Sequence, residues 1–102
     1  MNTTAIKAAD WWTEKIQERN TIVTKNQLDN FKKNLSYVID KHLSYNASMT
    51  ISTYIKTSPL IKNIAFYAGM PFCIIYPKGY EMKIIINDVY IYNNKGELIQ
   101  QF

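Results

Sequence analysis

Apolar residues change their spacing once along this chain, and that change restricts the folds open to it. Up to about residue 44 they recur every three or four positions, as on the buried side of an amphipathic helix. Around residue 49 the period falls to two, as in a strand with one buried face. The alternating apolar set is Met49, Ile51, Thr53 and Ile55. Helices that come mainly before strands indicate an α+β fold.

Two helices are predicted before residue 45. The first carries one apolar stripe, made of Ala5, Ala9, Trp12 and Ile16. The second is expected from about residue 25 to 44, because Thr24 and Gln27 have the spacing of a capping box. Its apolar stripe covers four turns and comprises Leu28, Phe31, Leu35, Val38, Ile39 and Leu43.

A third helix is predicted after the first strand. Ser58 and Pro59 are typical of a helix start, and Gly69 followed by Pro71 is typical of a helix end. The apolar segment that follows, 72–76, is expected to be extended or irregular. Its cysteine, Cys73, is expected to be buried as a small apolar side chain.

The chain is predicted to close with a meander of short strands. Residues 80–86 and 89–92 form a hairpin in this prediction, with Asn87-Asp88 as its tight turn. Residues 97–102 form a third strand after a turn rich in Asn and Gly. The expected order is therefore α-α-β-α-β-β(-β), with three helices packed on a small, mainly antiparallel sheet.

Length and composition fit one soluble domain over residues 1–102. The chain has 102 residues, 47% of them apolar, and a net charge of +4, which excludes an intrinsically disordered protein. Its one cysteine excludes an internal disulfide. The longest uncharged apolar run, from Met70 to Pro77, is too short to span a membrane. We expect a cytoplasmic protein without a membrane partner.

Residues suited to catalysis are few. His42 is the single histidine, at the end of the second predicted helix, where its charge suits the helix dipole. A pair of His42 with Cys73 remains open, but nothing in the sequence indicates one. The three glycines lie far apart, and no acidic group has a recognised metal-binding spacing. We therefore expect no enzyme activity, no metal and no cofactor.

Tyrosines and lysines of the predicted strands are the best candidates for a binding surface. Tyr90 and Tyr92 share one face of their strand, since Val89 and Ile91 take the other. The other candidates lie on polar positions of neighbouring strands, and they are Tyr54, Lys56 and Lys83. Three interpretations stay open: ordinary strand propensity, a protein interface, or a face that stacks bases and holds phosphates.

Adjacent tryptophans are a further candidate. Successive helical positions differ by about 100°, so Trp11 and Trp12 cannot point the same way. Trp12 lies on the core stripe. Trp11 is expected either at a seam between helices or as an exposed anchor for a partner.

Several short motifs resemble a loosely defined family of small uncharacterised proteins of Firmicutes prophages and mobile elements. They are Ala9-Asp10-Trp11-Trp12, Ala68-Gly69-Met70-Pro71, Tyr76-Pro77-Lys78 and Met82-Lys83-Ile84. Members of that family have an A-D-W-W-x-x-K-I opening, an A-G-I-P helix end, an F-P-x-K-T-x-M segment and a final hairpin. This chain departs from the pattern at Tyr76, which replaces Phe, and after Lys78.

The resemblance implies a context and supplies no catalytic residues. It implies a phage-type accessory protein that binds and inhibits a bacterial host factor in the host cytoplasm. A defence component is the expected target, as for anti-CRISPR-like inhibitors. The alternative is a nucleic-acid or nucleotide-binding module that uses the same Tyr/Lys face. A homodimer is also a possible assembly.

Overall fold

The computed structural model describes residues 2–102 and confirms the α+β prediction, with three helices and one four-stranded antiparallel sheet. The elements, in chain order, are α1 (Thr3–Arg19), α2 (Lys25–Tyr45), β1 (Ser48–Ser52), α3 (Pro59–Tyr67), β2 (Glu81–Ile85), β3 (Asp88–Tyr92) and β4 (Leu98–Gln101).

Side-chain caps fix where the first two helices begin. The side chain of Asn2 accepts a hydrogen bond from the backbone N–H of Thr4, which would otherwise lack a partner in the first turn of α1. At α2 the predicted capping box is confirmed. Thr24 Oγ1 accepts from the Gln27 N–H at 3.1 Å, and Gln27 Oε1 accepts from the Thr24 N–H at 3.0 Å.

Helix α3 begins and ends where the sequence predicts. Pro59 occupies the first turn, although the Ser58 side chain makes no capping hydrogen bond. At the other end Gly69 has a φ of +81°, which a residue with a side chain rarely adopts. Its N–H bonds the carbonyl of Phe66 at 3.0 Å, and the Met70 N–H bonds that of Ala65 at 3.1 Å, as in a Schellman motif.

The sheet has the strand order β1-β2-β3-β4, and every neighbouring pair is antiparallel. One face carries an apolar row that crosses the first three strands through Ile51, Met82 and Ile91. These side chains are at most 1% exposed, and they belong to the same core cluster as the helix stripes. All four residues of the α1 stripe predicted from sequence are fully buried there. The helices therefore lie on one face of the sheet.

Two predictions about the strands were wrong. Strand β1 ends at Ser52 and the chain then bends, so Ile55, which was expected to face inward, is 95% exposed. The hairpin turn is Ile86-Asn87 rather than Asn87-Asp88, because Asp88 pairs with Ile85. Ile86 has a φ of +53°, a conformation that a β-branched residue rarely adopts.

The segment after α3 is irregular, and the prediction of a buried Cys73 was wrong. Ile74 is the residue of this segment that enters the core, at 6% exposure. Its neighbours Cys73 and Ile75 are exposed, and Phe72 is 94% exposed. Ile74 and the partly buried Tyr76 turn inward in this irregular segment, which leaves the side chains of Phe72, Cys73 and Ile75 in solvent.

Within residues 2–102, no helix combines the length and the apolar character that crossing a membrane requires.

Candidate binding site

The sheet face that points away from the helices gathers most of the predicted binding residues. Cross-strand pairing places eight side chains in two rows on this surface, which we call the outer face: Thr50, Lys83, Tyr90 and Gln101 in one row, and Ser52, Glu81, Tyr92 and Leu98 in the other. The alternation predicted for Tyr90 and Tyr92 is confirmed, since Val89 and Ile91 are fully buried on the opposite face.

Lys83 lies at the centre of the outer face and is held there by two neighbours. Its Nζ lies 5.4 Å from the ring centroid of Tyr92, within the range of a cation–π contact. The same Nζ lies 3.6 Å from Oε1 of Glu81, two residues earlier on β2. The side chain of Lys83 is still 48% exposed and that of Glu81 is 22% exposed. The lysine is thus oriented without being removed from solvent.

Tyr54 joins this group from just beyond the end of β1. Thr53 donates its N–H to the Tyr80 carbonyl at 2.7 Å and accepts from the Gly79 N–H at 2.8 Å, so pairing continues past the strand. Partial burial raises the pKa of the Tyr54 phenol above its ordinary value. The charge of Glu81 also raises this pKa, and that of Lys83 lowers it. Buried Thr53 and its pairing put the next residue, Tyr54, on the outer face, and the charges of Glu81 and Lys83 both act on its phenol.

Four of the six candidate residues therefore share one surface: Tyr54, Lys83, Tyr90 and Tyr92. The three tyrosines are half-buried. Apolar groups border them, since Leu98 is 49% exposed in the Tyr92 row and Ile85, further along β2, is 44% exposed. A half-apolar surface with polar ring hydroxyls is what tyrosine-rich interfaces use.

Lys56 is exposed in the bend after Tyr54. Within residues 2–102 no hydrogen bond or ion pair joins it to the other candidates. Its membership of the surface stays a prediction.

Trp11 does not serve as an exposed anchor, so that alternative was wrong. It is 5% exposed, and its Nε1 donates a hydrogen bond to Gln100 Oε1 at 3.1 Å. Its ring meets those of Trp12 and Tyr80 edge to face, with centroids 4.9 Å and 5.0 Å away. The seam it fills lies between α1 and the sheet rather than between helices. Trp11 therefore belongs to the packing of the fold.

The residues considered for catalysis, His42 and Cys73, lie on the surface. No hydrogen bond joins them in the described part of the chain. Over the same part, residues 2–102, no three histidine, cysteine or acidic side chains cluster closely enough to hold a metal ion.

Sequence reasoning did not place Glu81 on the binding face, where its carboxylate offsets the charge of Lys83. A signal for it exists in the sequence, because Glu81 and Lys83 are two apart on a strand and so must share a face. A second feature was also missed: four large apolar side chains are exposed at the end of α3 and in the segment after it, and these are Phe66, Tyr67, Phe72 and Ile75.

Comparison with known proteins finds no protein-family model, no curated protein and no solved structure that matches this chain.

Proposed function

We propose that this is a non-enzymatic binding protein whose outer face docks on a partner protein and blocks it. The observation that supports this most directly is the group of Tyr54, Tyr90 and Tyr92 around an oriented Lys83 on a sheet face that the helices leave open. Tyrosine supplies a large amphipathic contact area with few rotatable bonds, so little conformational entropy is lost on binding.

Pre-organisation of the lysine favours the same role. A free lysine side chain loses about 0.5–1.5 kcal/mol of conformational freedom when an interface immobilises it. Lys83 already lies against Tyr92 and Glu81 before any partner arrives. Binding through this side chain therefore costs less than binding through an unrestrained one. The pairing of β2 with β3 sets the spacing of Lys83, Tyr90 and Tyr92 on the outer face.

The charge of the outer face favours a protein over a nucleic acid. Phosphate binding draws on several unpaired cations, and each one contributes to a steep dependence on salt. The central cation here, Lys83, lies 3.6 Å from the carboxylate of Glu81, which offsets its charge. Asp88 is exposed at the start of the neighbouring strand β3. A polyanion would meet repulsion from both acidic groups.

The identity of the partner rests on the resemblance described above. Small phage accessory proteins often act by binding and blocking a host factor, so we propose a bacterial host protein as the target. A component of host defence is the specific candidate, in the manner of anti-CRISPR-like inhibitors. In this proposal inhibition is steric: the outer face covers a functional surface of the target, and no bond is made or broken.

A capture experiment tests the proposal. The tagged protein is incubated with a Firmicute lysate, with and without nuclease, and the eluates are identified by mass spectrometry. We expect one host protein in near-stoichiometric amount that survives nuclease and 0.5 M salt. Enrichment that disappears with nuclease, or that falls steeply with salt, contradicts the proposal and favours the nucleic-acid module.

A further inference from the structure

A second surface with different chemistry lies at the end of α3. Phe66 and Tyr67 are 59% and 79% exposed on the last turn of the helix, and Phe72 and Ile75 are 94% and 59% exposed just after it. We call the three rings, Phe66, Tyr67 and Phe72, the aromatic cluster. The ring centroids of Phe66 and Phe72 are 6.3 Å apart, and those of Phe66 and Tyr67 are 5.4 Å apart. Contiguous exposed apolar groups of this kind mark interaction sites.

Two polar side chains hold the segment that carries Phe72 and Ile75. Asn20 is 7% exposed at the end of α1, and it accepts from the Ile75 N–H at 2.7 Å and donates to the Ile75 carbonyl at 2.9 Å. Gln27, at the start of α2, donates to the Gly69 carbonyl at 2.7 Å. The exposed apolar side chains are thus presented by a backbone fixed at two points. Such pre-organisation lowers the entropic cost of docking.

Phe66 and Phe72 of the cluster line a small cleft that one cation, Lys62, also borders. Its lining comprises Lys62, Phe66, Met70, Pro71, Phe72 and Tyr76, and its volume is about 80 Å³. Pockets for small-molecule ligands measure about 300–1,000 Å³, so this cleft admits only one small apolar side chain. Lys62 is exposed at the cleft, and no salt bridge pairs it in the described residues.

Charge along the chain singles out the same region. Residues 41–80 contain four lysines and neither aspartate nor glutamate, so they carry a net charge equal to the whole chain's +4. Lys56 and Lys78 flank the segment that contains α3 and the aromatic cluster, and both are exposed. A partner segment with acidic residues is therefore attracted, whereas a symmetric contact with a second copy of the chain would bring Lys62 against Lys62.

We propose that the aromatic cluster is a second docking surface, which binds an acidic peptide segment of a partner protein. One apolar side chain of that segment enters the cleft between Phe66 and Phe72, and flanking carboxylates lie against Lys62. This surface is built from elements other than those of the outer face, so it stands whether or not the outer face binds a host factor. With both surfaces occupied, the protein would bridge two sites on one partner or on two.

A displayed library of random dodecapeptides, panned against the immobilised full-length protein, tests this proposal. We expect enriched peptides to share an apolar residue flanked by Asp or Glu. Phe72→Ala should weaken their binding by at least about tenfold, since it removes the main apolar anchor. Tyr45→Ala is the matched control, because Tyr45 is 83% exposed but lies outside the cluster, and it should leave binding unchanged.

A second pair of variants tests whether peptide binding requires the charge of Lys62. Lys62→Gln should weaken the peptides by a few-fold and reduce the salt dependence of their binding, whereas Lys33→Gln removes the same charge from an exposed site on α2 and should do neither. Phe72 and Lys62 are exposed, so both variants should keep the circular dichroism spectrum and thermal midpoint of the native protein.

Five results would overturn the proposal, and the first four concern the binding of peptides or vesicles. Three of them are the absence of enriched peptides, the enrichment of peptides without acidic residues, and equal affinity of the peptides for the native protein and for Phe72→Ala. The fourth is that the native protein sediments with vesicles of phosphatidylserine and phosphatidylcholine, whereas Phe72→Ala does not. This fourth result would assign the cluster to a lipid surface instead. The fifth, self-association that Phe72→Ala removes, would likewise assign it to a second copy of the chain.

Discussion

The ammonium group of Lys83 on β2 lies over the ring of Tyr92 on β3, with Nζ 5.4 Å from the ring centroid. The two residues occupy adjacent strands but different rows of the outer face, so the lysine reaches diagonally toward the row that holds Glu81. This diagonal links the cation, the carboxylate and the aromatic ring into one unit. The unit orients the central lysine of the face although its side chain is 48% exposed.

The Tyr54 phenol should report the charges of this unit. Its pKa is raised above the ordinary value of 10.0, first by partial burial and then by Glu81, while Lys83 opposes the rise. Glu81→Gln should therefore lower the pKa of Tyr54, and Lys83→Gln should raise it further. NMR of ring-labelled tyrosine, titrated at alkaline pH, measures both shifts. Equal Tyr54 titration curves in all three proteins would contradict the placement of Tyr54 beside this pair.

Stability should fall at alkaline pH because of two tyrosines. Burial raises the pKa of Tyr76 as well as that of Tyr54, so both phenols ionise later in the folded than in the unfolded chain. The free energy of unfolding is unaffected by these groups below about pH 10 and falls as pH rises above it, because the unfolded chain loses the protons first. Urea titrations from pH 8 to 11 measure the fall. Tyr54→Phe with Tyr76→Phe should flatten it.

Asn20 should be among the polar residues that matter most for stability. Its side chain bonds the carbonyls of Ile16 and Ile75 and the N–H of Ile75, all within 2.9 Å. Asn20→Ala should lower the free energy of unfolding by about 2–3 kcal/mol, because it leaves buried backbone groups without partners. Asn30→Ala on the exposed side of α2 is the control and should change stability by less than about 0.5 kcal/mol. Similar effects of the two variants in urea unfolding would contradict this role.

The structural features that were predicted correctly are those set by interactions between residues close together in the sequence. The start of α2, the end of α3 and the alternation along β3 follow from residues close in sequence, so Thr24 with Gln27 marked the first of these and Gly69 the second. The hairpin turn was misplaced by one residue, because Asn87-Asp88 has better turn propensity than Ile86-Asn87. Pairing of Asp88 with Ile85 across the hairpin overrides that local preference.

Trp11 and Phe72 show which features of the candidate sites could not be predicted from the sequence. Trp11 lies on a helix face next to the core stripe, and its burial depends on Tyr80 and Gln100, which are distant in sequence. Phe72 lies in an apolar run, and its exposure depends on how Asn20 holds the segment. Neither contact leaves a periodic signal. The outer face was predictable as a set of residues, but the strand order that unites it was not.

Quenching of tryptophan fluorescence tests directly whether Trp11 is buried. The chain has two tryptophans, and both are at most 5% exposed. Iodide should therefore quench the native fluorescence weakly and the urea-unfolded fluorescence strongly. Trp11→Ala should cost about 3–5 kcal/mol of stability, as for other buried large aromatic residues. Strong quenching of a native Trp12→Phe variant would show that Trp11 is accessible and contradict the seam described here.

The outer face should lose its partner when its rings are removed. Tyr90→Ser with Tyr92→Ser deletes two half-buried rings from a surface that helices do not cover, whereas Tyr37→Ser deletes one that is 58% exposed on α2. Interface tyrosines that act as anchors contribute about 2 kcal/mol or more, so the double variant should weaken binding by at least about a hundredfold. Circular dichroism and thermal unfolding should first establish that both variants fold.

The central claim is that the outer face is the surface that binds a host protein, and capture of that protein by the native chain and these two variants tests it most directly. The account predicts one nuclease-resistant host protein that the native chain and Tyr37→Ser retain in equal amount and that Tyr90→Ser with Tyr92→Ser loses. Undiminished capture by the folded double variant would contradict it.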